Sequence, residues 1–174
     1  DQQALDSNDR ISGIYSIDNA TAVVAPRYNI QFWRSTMIQI GLVQIAQSFG
    51  YEGISDAQVY EEEIASALLA EELGYDLVSM VEHHFEDYAL CPDNFVYLAH
   101  LAAQTSCIKL MTGAVIVPWN TQPLRVAEKT ALLDQLCGGR MILGLGRGLS
   151  RREYDQFGIS MDESRERFDE AVPM

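Results

Sequence analysis

Two neighbouring histidines follow a glutamate in the segment VEHHF, residues 81–85 of this 174-residue chain. His83 and His84 are two of only three histidines in the sequence. One imidazole could give or take a proton at a reacting centre near neutral pH, with Glu82 or the second histidine orienting it. Alternatively, both histidines cap a strand and hydrogen-bond to neighbouring loops. A metal site is disfavoured, because successive side chains of an extended segment point to opposite faces and zinc needs three or four converging ligands.

A glycine-rich segment, GLGRG at 144–148, is the second candidate site. It does not match the dinucleotide fingerprint GxGxxG, because the third glycine would stand at position 149, which is Leu149. Its bare backbone still permits a ligand to approach closely, with Arg147 as a cationic donor. Ser164 and Arg165 add a hydroxyl and a second guanidinium further along the chain. These polar side chains could hold a phosphate monoester, or they could belong to a charged surface helix.

Four repeats of a strand followed by a helix must position these residues. The first predicted strand, IQIGLVQI at 38–45, is apolar and β-branched, as a buried strand should be. Further strands are predicted at 75–84, 108–118 and 140–148, and helices at 61–74, 94–105 and 123–139, followed by a charged stretch with room for one or two short helices. Such alternation is typical of α/β proteins with a parallel sheet, either doubly wound or half of an eight-stranded barrel. In both architectures the chemistry lies at the carboxyl ends of the strands, where EHH and GRG stand.

The composition argues against several kinds of partner. Twelve basic against twenty-five acidic residues give a net charge of −13, which repels the phosphate backbone of a nucleic acid. No stretch approaches the roughly 18 consecutive apolar residues of a membrane span. The three cysteines are widely spaced without a CxxC pair, which indicates neither a disulfide framework nor a zinc site. We therefore expect a cytoplasmic protein that has neither a nucleic acid nor a membrane as its partner.

The segments EHHF, PLRVAE, LLDQLCGGR and GRG occur in an order and at a spacing that resemble the bacterial luciferase-like flavin monooxygenase family. The resemblance runs from about Met37 to Ala171, nearly four fifths of the chain. It implies a (β/α)8 TIM barrel, of which this chain carries about the first four βα units as a half barrel. Residues 1–36 are then an N-terminal extension of unknown role, and residues 37–174 are the N-terminal half of the barrel.

The resemblance also implies a reaction. Family members bind reduced FMN, which reacts with dioxygen to give a C4a-hydroperoxyflavin that oxygenates an aldehyde or another small organic substrate. A separate flavin reductase usually supplies the reduced flavin. Luciferases proper carry a reactive cysteine where this chain has Gly146, so a monooxygenase without light emission is favoured. The alternatives are an F420-dependent oxidoreductase of the same superfamily and a non-catalytic flavin-binding or partner half-barrel. A homo- or heterodimer is expected, because family members often pair through the second and third helices.

By the same resemblance His83 is the catalytic residue, and we expect Glu82 and His84 to support it. The segment with Gly113 and Ala114 lies beside the flavin ring in the family and sometimes contains a non-proline cis peptide bond. The remaining cofactor-binding residues, expected around the FMN phosphate, are Gly146, Arg147, Ser164 and Arg165.

Overall fold

The computed structural model describes residues 38–50 and 53–174. Residues 38–174 form one unit by themselves. The predicted extension at residues 1–36 and the boundary at Met37 lie outside the described residues, so both stay predictions. None of the described helices combines the length and the apolar character that a membrane span requires.

A four-stranded parallel sheet positions the candidate site. Its strands stand in the order β1 (Gly41–Gln44), β2 (Leu77–Met80), β3 (Lys109–Thr112) and β5 (Met141–Ile142). A second, two-stranded parallel sheet joins β4 (Val115–Ile116) to β6 (Leu145–Gly146). Strands that alternate with helices along the chain thus lie side by side and parallel, which confirms the predicted α/β class.

Two strands that the sequence predicts as continuous are interrupted in the structure. The predicted strand 108–118 is broken between β3 and β4, where the Gly113–Ala114 peptide bond is cis. The predicted strand 140–148 is broken between β5 and β6. There the Thr112 hydroxyl accepts from the Gly144 N–H at 2.8 Å and donates to the Gly144 carbonyl oxygen at 2.9 Å. A side chain of the neighbouring strand therefore satisfies backbone groups that a continuous ladder would otherwise pair.

The described helices are α1 (Asp56–Glu72), α2 (Asn94–Ala102), α3 (Pro123–Leu136), α4 (Arg151–Gln156) and α5 (Ser164–Ala171), with short 3-10 turns at Val117–Trp119 and Met161–Glu163. α1 begins before the predicted residue 61, because the Ser55 side chain caps it and accepts from the Gln58 N–H at 3.2 Å. α2 and α3 begin where the sequence predicts, since Asp93 caps the first and Pro123 opens the second. The charged stretch after the last strand holds α4 and α5, as predicted.

The hydrophobic core lies between the four-stranded sheet and helices α1 to α3. Alternate strand residues point into it, and Val78, Met80 and Leu110 are fully buried. The helices contribute, among others, Leu98, Leu101 and Leu133. Burying one such side chain stabilises the fold by about 2 kcal/mol. Val43 of β1 points to the opposite face and stays 63% exposed, so within the described residues that part of the sheet has no covering layer.

Candidate active site

The two candidate segments follow the carboxyl ends of strands, as the sequence predicts. β2 ends at Met80 rather than at residue 84, so the EHH segment lies in the loop beyond the strand. Gly146 is the last residue of β6, and Arg147 follows it directly. Parallel strands present their carboxyl ends at the same edge of a sheet, which is where α/β proteins bind ligands.

His83 is held by a carboxylate from a distant helix. Its Nδ1 lies 3.0 Å from Oε1 of Glu153 in α4. The backbone N–H of His83 donates to the Cys91 carbonyl at 3.0 Å, and the ring packs edge-on against Tyr88 at a centroid distance of 5.1 Å. The His83 side chain is 16% exposed whereas that of Glu153 is 1% exposed. One side of the imidazole is therefore fixed by a buried acid, and the ring still reaches solvent.

Glu82 and His84 form a pair on the opposite side of the segment. Oε1 of Glu82 accepts from Nε1 of Trp119 at 2.8 Å and lies 3.3 Å from Nε2 of His84, while Oε2 accepts from the Ile116 N–H at 3.3 Å. Positions 82 and 84 share a face because side chains of an extended segment alternate. Glu82 contacts His84 and β4, and no hydrogen bond joins its side chain to His83 among the described residues. The supporting role of Glu82 and His84 stays a prediction.

An aromatic cluster, made of Trp119, Tyr154 and Phe157, packs against His84 through two of its rings. The imidazole packs edge-on against Phe157 at 4.8 Å and against Trp119 at 5.7 Å. Phe157 stacks on Trp119 at 5.2 Å, and Tyr154 meets the same indole edge-on at 5.2 Å. Such ring pairs add roughly 0.5–1.5 kcal/mol each beyond the area that they bury. The cluster therefore keeps His84 in place.

Glu153 is the site residue that sequence analysis missed. It stands in the first turn of α4, which Ser150 caps by accepting from the Glu153 N–H at 3.5 Å. The spacing S-x-x-E is a capping-box signature, and that signal could have marked the start of a helix here. No local signal pairs position 153 with position 83, since the two residues are 70 positions apart.

Two of the three predicted phosphate-binding side chains lie together. Nη1 of Arg147 donates to Oγ of Ser164 at 3.4 Å, and Ser164 is 2% exposed. Tyr154 donates its hydroxyl hydrogen to the Arg147 carbonyl, and burial raises the pKa of this phenol, so it remains a donor. Arg165 is exposed, and no hydrogen bond or ion pair joins it to Arg147 or Ser164 in the part of the chain that the structure describes.

The remaining predicted cofactor residues provide a bare backbone beside this pair. Asn94 donates from Nδ2 to the Ala114 carbonyl at 3.1 Å, and the Gly113 N–H donates to the Met80 carbonyl at 2.8 Å. A Cβ added at Gly146 would come within 2.9 Å of Cδ1 of Ile116 and 3.2 Å of Cβ of Ala114. The Gly113–Ala114 segment and Gly146 are therefore neighbours, and a side chain at Gly146 would crowd the space that they share.

Open space lies beside the histidines. A groove of about 360 Å³ is lined by His83, His84, Phe85 and Leu90, among others. Burial raises the pKa of the nearby Cys91 thiol to about 12, so this cysteine stays protonated at neutral pH. No cluster of three or more histidine, cysteine, aspartate or glutamate side chains suited to a metal ion occurs among residues 38–50 and 53–174.

Known proteins resemble this chain over most of its described length. The profile of the luciferase-like monooxygenase family matches residues 40–174. The alkanal monooxygenase alpha chain of Photorhabdus laumondii is 33% identical over 111 residues, which cover 64% of this chain and 31% of that protein. The oxygenase component of the flavin-dependent trigonelline monooxygenase of Acinetobacter baylyi is 31% identical over 129 residues, which cover 70% of this chain and 35% of that protein. The chain thus spans about a third of the length of these curated relatives.

Solved structures agree with the sequence relatives. The monooxygenase RslO1 of Streptomyces bottropensis is 41% identical with a TM-score of 0.72, over 78% of this chain and 41% of that one. The oxygenating constituent of 3,6-diketocamphane monooxygenase of Pseudomonas putida, in complex with FMN, is 25% identical with a TM-score of 0.67, over 76% and 38%. An F420-dependent secondary alcohol dehydrogenase is 21% identical with a TM-score of 0.63, over 78% and 40%, which shows likeness of fold alone. These matches confirm the predicted likeness to part of a luciferase-like barrel. The chain belongs to the luciferase-like monooxygenase family.

Proposed function

We propose that this chain carries the flavin-binding part of the active site of a monooxygenase that uses reduced FMN and dioxygen to oxygenate a small organic substrate such as an aldehyde. The observation that carries the proposal is the grouping of side chains and bare backbone beyond the strand ends. His83 is held by a buried carboxylate at 3.0 Å, and Arg147 lies 3.4 Å from a buried serine hydroxyl. The activities for which the relatives are named, those of an alkanal and a trigonelline monooxygenase, support the same reaction class.

The residues present fit FMN rather than a bare anion. Arg147 and Ser164 together offer a guanidinium and a hydroxyl, which suit a terminal phosphate. The Gly113–Ala114 segment and Gly146 offer a surface without side-chain bulk, where an added Cβ would meet Ile116 at 2.9 Å. A flat ring system can approach such a backbone closely. Bound reduced FMN would supply two electrons for dioxygen, of which one atom enters the substrate and the other leaves as water.

His83 is the residue that we assign to proton handling. Its Nδ1 faces Glu153, so Nε2 is the ring nitrogen left to take or give a proton at the reacting group. The ring remains 16% exposed, which keeps it accessible from the groove of about 360 Å³. Glu82 and His84 act indirectly in this proposal, by holding the loop that carries His83 against β4.

A separate flavin reductase is the partner that this proposal requires. The trigonelline monooxygenase relative is named as an oxygenase component, which supports a two-component arrangement. A second oxygenase subunit, either another copy or a relative, is also part of the proposal, because one relative is named as the alpha chain of its enzyme.

The experiment is an FMN titration of the 174-residue chain, with size-exclusion chromatography alongside. We expect saturable binding that weakens roughly ten- to a hundredfold in Arg147→Ala, since one hydrogen bond to a charged group is worth about 1.5–3 kcal/mol. Arg151→Ala is the matched control, because Arg151 is an exposed arginine four positions away without a hydrogen bond or ion pair in the described residues. Equal affinities of Arg147→Ala and Arg151→Ala would remove the phosphate assignment.

Oxygen uptake with reduced FMN and an aldehyde then separates the reaction classes. An oxygenated product formed with oxygen consumption supports the monooxygenase. Saturable FMN binding without oxygen-dependent product supports the non-catalytic flavin-binding half-barrel instead. Reduction of F420 by an alcohol, without oxygen uptake, supports the F420-dependent oxidoreductase.

A further inference from the structure

Among the described residues, the Glu153 carboxylate forms its hydrogen bonds with the EHH segment. Its Oε1 accepts from the backbone N–H of His84 at 2.7 Å and lies 3.0 Å from Nδ1 of His83. The residue is 1% exposed, so water does not compete effectively for this oxygen. Moving a buried carboxylate away from two hydrogen-bond donors would leave buried polar groups without partners, which costs free energy.

The two contacts together determine where the hydrogen atom on His83 resides. The His84 N–H is an obligatory donor, so Oε1 of Glu153 serves as an acceptor. An ionised carboxylate has no hydrogen of its own, and at 3.0 Å the imidazole nitrogen must then supply one. We infer that Glu153 is a positioning residue, which holds His83 in the Nδ1–H tautomer and leaves Nε2 unprotonated on the side of the ring away from α4.

Helix α4 is well placed to keep this geometry rigid. Tyr154, the next residue, is fully buried and donates its hydroxyl hydrogen to the Arg147 carbonyl. Phe157 on the same turn packs against His84 at 4.8 Å. One short helix therefore fixes the orientation of His83 and also the backbone that carries Arg147, so the imidazole and the Arg147 backbone keep their relative positions.

The tautomer assignment depends on geometry alone, whereas its effect on turnover rests on the proposed function. A base that removes a proton must present a lone pair, and in the Nδ1–H tautomer this lone pair belongs to Nε2. Without Glu153 the hydrogen would move between the two nitrogens, and part of the population would present Nε2–H. For histidines that ligate a metal, outer partners of this kind contribute about 10- to 100-fold, and we expect an effect of the same order here.

The test is two-dimensional long-range NMR of the chain labelled with ¹⁵N-histidine, in a buffer near pH 9, about two and a half units above the ordinary histidine pKa. Only three histidines contribute signals, and His100→Gln removes one of them for assignment. We expect a protonated Nδ1 and a bare Nε2 for His83. In Glu153→Ala the population should shift toward Nε2–H, the form that free imidazole side chains prefer.

Two further variants keep the test decisive. Glu153→Gln should keep the wild-type tautomer, because its amide oxygen can still accept from His84 N–H and from His83 Nδ1–H. Asp155→Asn changes an exposed carboxylate on the same helix and should have no effect. A bare Nδ1 on His83 in the wild-type chain overturns the inference. The inference is also overturned if folded Glu153→Ala keeps the wild-type tautomer of His83. A His83 tautomer in Glu153→Gln that differs from the wild-type one overturns it as well.

Turnover separates this inference from the proposed function. If the chain oxygenates a substrate, Glu153→Ala should lower the rate about 10- to 100-fold at unchanged FMN affinity, and Glu153→Gln should restore most of it. The expected tautomer with no FMN binding in the wild type would remove the proposed function and leave the positioning of His83 intact. FMN binding and oxygenation by a chain whose His83 has the Nε2–H tautomer would support the proposed function and remove the positioning role of Glu153.

Discussion

The amino edge, where the parallel strands of the two sheets begin, and the carboxyl edge, where they end, differ in how many hydrogen bonds their arginines make. Arg140 stands at the amino end of β5, and Arg147 follows β6 seven positions later. The guanidinium of Arg140 makes five hydrogen bonds, whereas that of Arg147 makes a single one, to Oγ of Ser164 at 3.4 Å, among the described residues. The acceptors of Arg140 are the carbonyl oxygens of Ala102, Thr105, Ile108 and Cys137 and the hydroxyl of Thr105.

This difference distinguishes a structural cation from one that is available to a ligand. Ala102 and Cys137 lie at the carboxyl ends of α2 and α3, where carbonyl groups have no partner within the helix. Arg140 supplies those partners and joins the two helix ends to the start of β3. Within residues 38–50 and 53–174, most donors of the Arg147 guanidinium have no protein acceptor, and they lie at the edge where α/β proteins bind their ligands. The amino edge thus holds the fold together, and the carboxyl edge leaves capacity for binding.

The largest expected effect is at the amino edge. Arg140→Met keeps the aliphatic stem but removes all five hydrogen bonds, so buried carbonyl groups lose their donor. We expect the free energy of unfolding to fall by about 3 kcal/mol, measured by denaturant titration. Arg165→Met is the control, because this exposed arginine has no hydrogen bond or ion pair in the described residues, and it should stay within about 0.5 kcal/mol. Equal losses in the two variants would contradict the structural role of Arg140.

The carboxyl edge should show the opposite behaviour. Arg147→Met should change the free energy of unfolding by less than about 1 kcal/mol, because the Arg147 side chain is exposed and its hydrogen bond to Ser164 is long, at 3.4 Å. Inorganic phosphate should raise the melting temperature of the wild-type chain, since a ligand of the folded state stabilises it by mass action. This increase should be absent in Arg147→Met and present in Arg151→Met. An increase of equal size in all three proteins would place phosphate elsewhere.

Local signals in the sequence explain which parts of the fold could be predicted. α2 and α3 begin at their predicted residues because Asp93 and Pro123 act within their own helices. The break after β5 could not be predicted, because it depends on Thr112 of another strand bonding to Gly144. Strand composition therefore predicted the parallel sheet and overestimated the length of its strands.

The residues of the candidate site also divide into those that the sequence could identify and those that depend on contacts between distant segments. His83, Arg147 and Ser164 belong to segments that a family resemblance identifies, and the structure brings Arg147 to Ser164. Glu153 was missed because its contact with His83 joins positions 70 residues apart, and only the folded chain brings α4 to the EHH segment. Residues that act through a neighbour carry a weaker signal in sequence than the residue that they orient.

The smallest expected effect concerns Glu71, whose side chain, like that of Arg140, makes structural hydrogen bonds at the amino edge. Oε1 of Glu71 accepts from the N–H of Ser106 at 2.8 Å and from the N–H of Cys107 at 2.6 Å, just before β3. Partial burial alone would raise the pKa of Glu71, but hydrogen bonds from the Cys107 thiol and from backbone N–H groups outweigh it and hold the pKa below the ordinary value of 4.5. The stabilisation is therefore present above pH 4.5 and is lost as the pH falls through the lowered pKa.

Glu71→Gln should test this sign directly. The variant should be less stable than the wild type at pH 7, by less than about 1 kcal/mol because solvent screens a partly exposed group. The difference should shrink as the pH is lowered below 4.5, since the wild-type carboxylate then becomes protonated and loses the same interactions. Glu72→Gln changes an exposed neighbour and should show no such trend. A stability difference between Glu71→Gln and the wild type that stays constant with pH would mean that charge at position 71 does not hold the start of β3, and the contrast between the two edges would then rest on Arg140 alone.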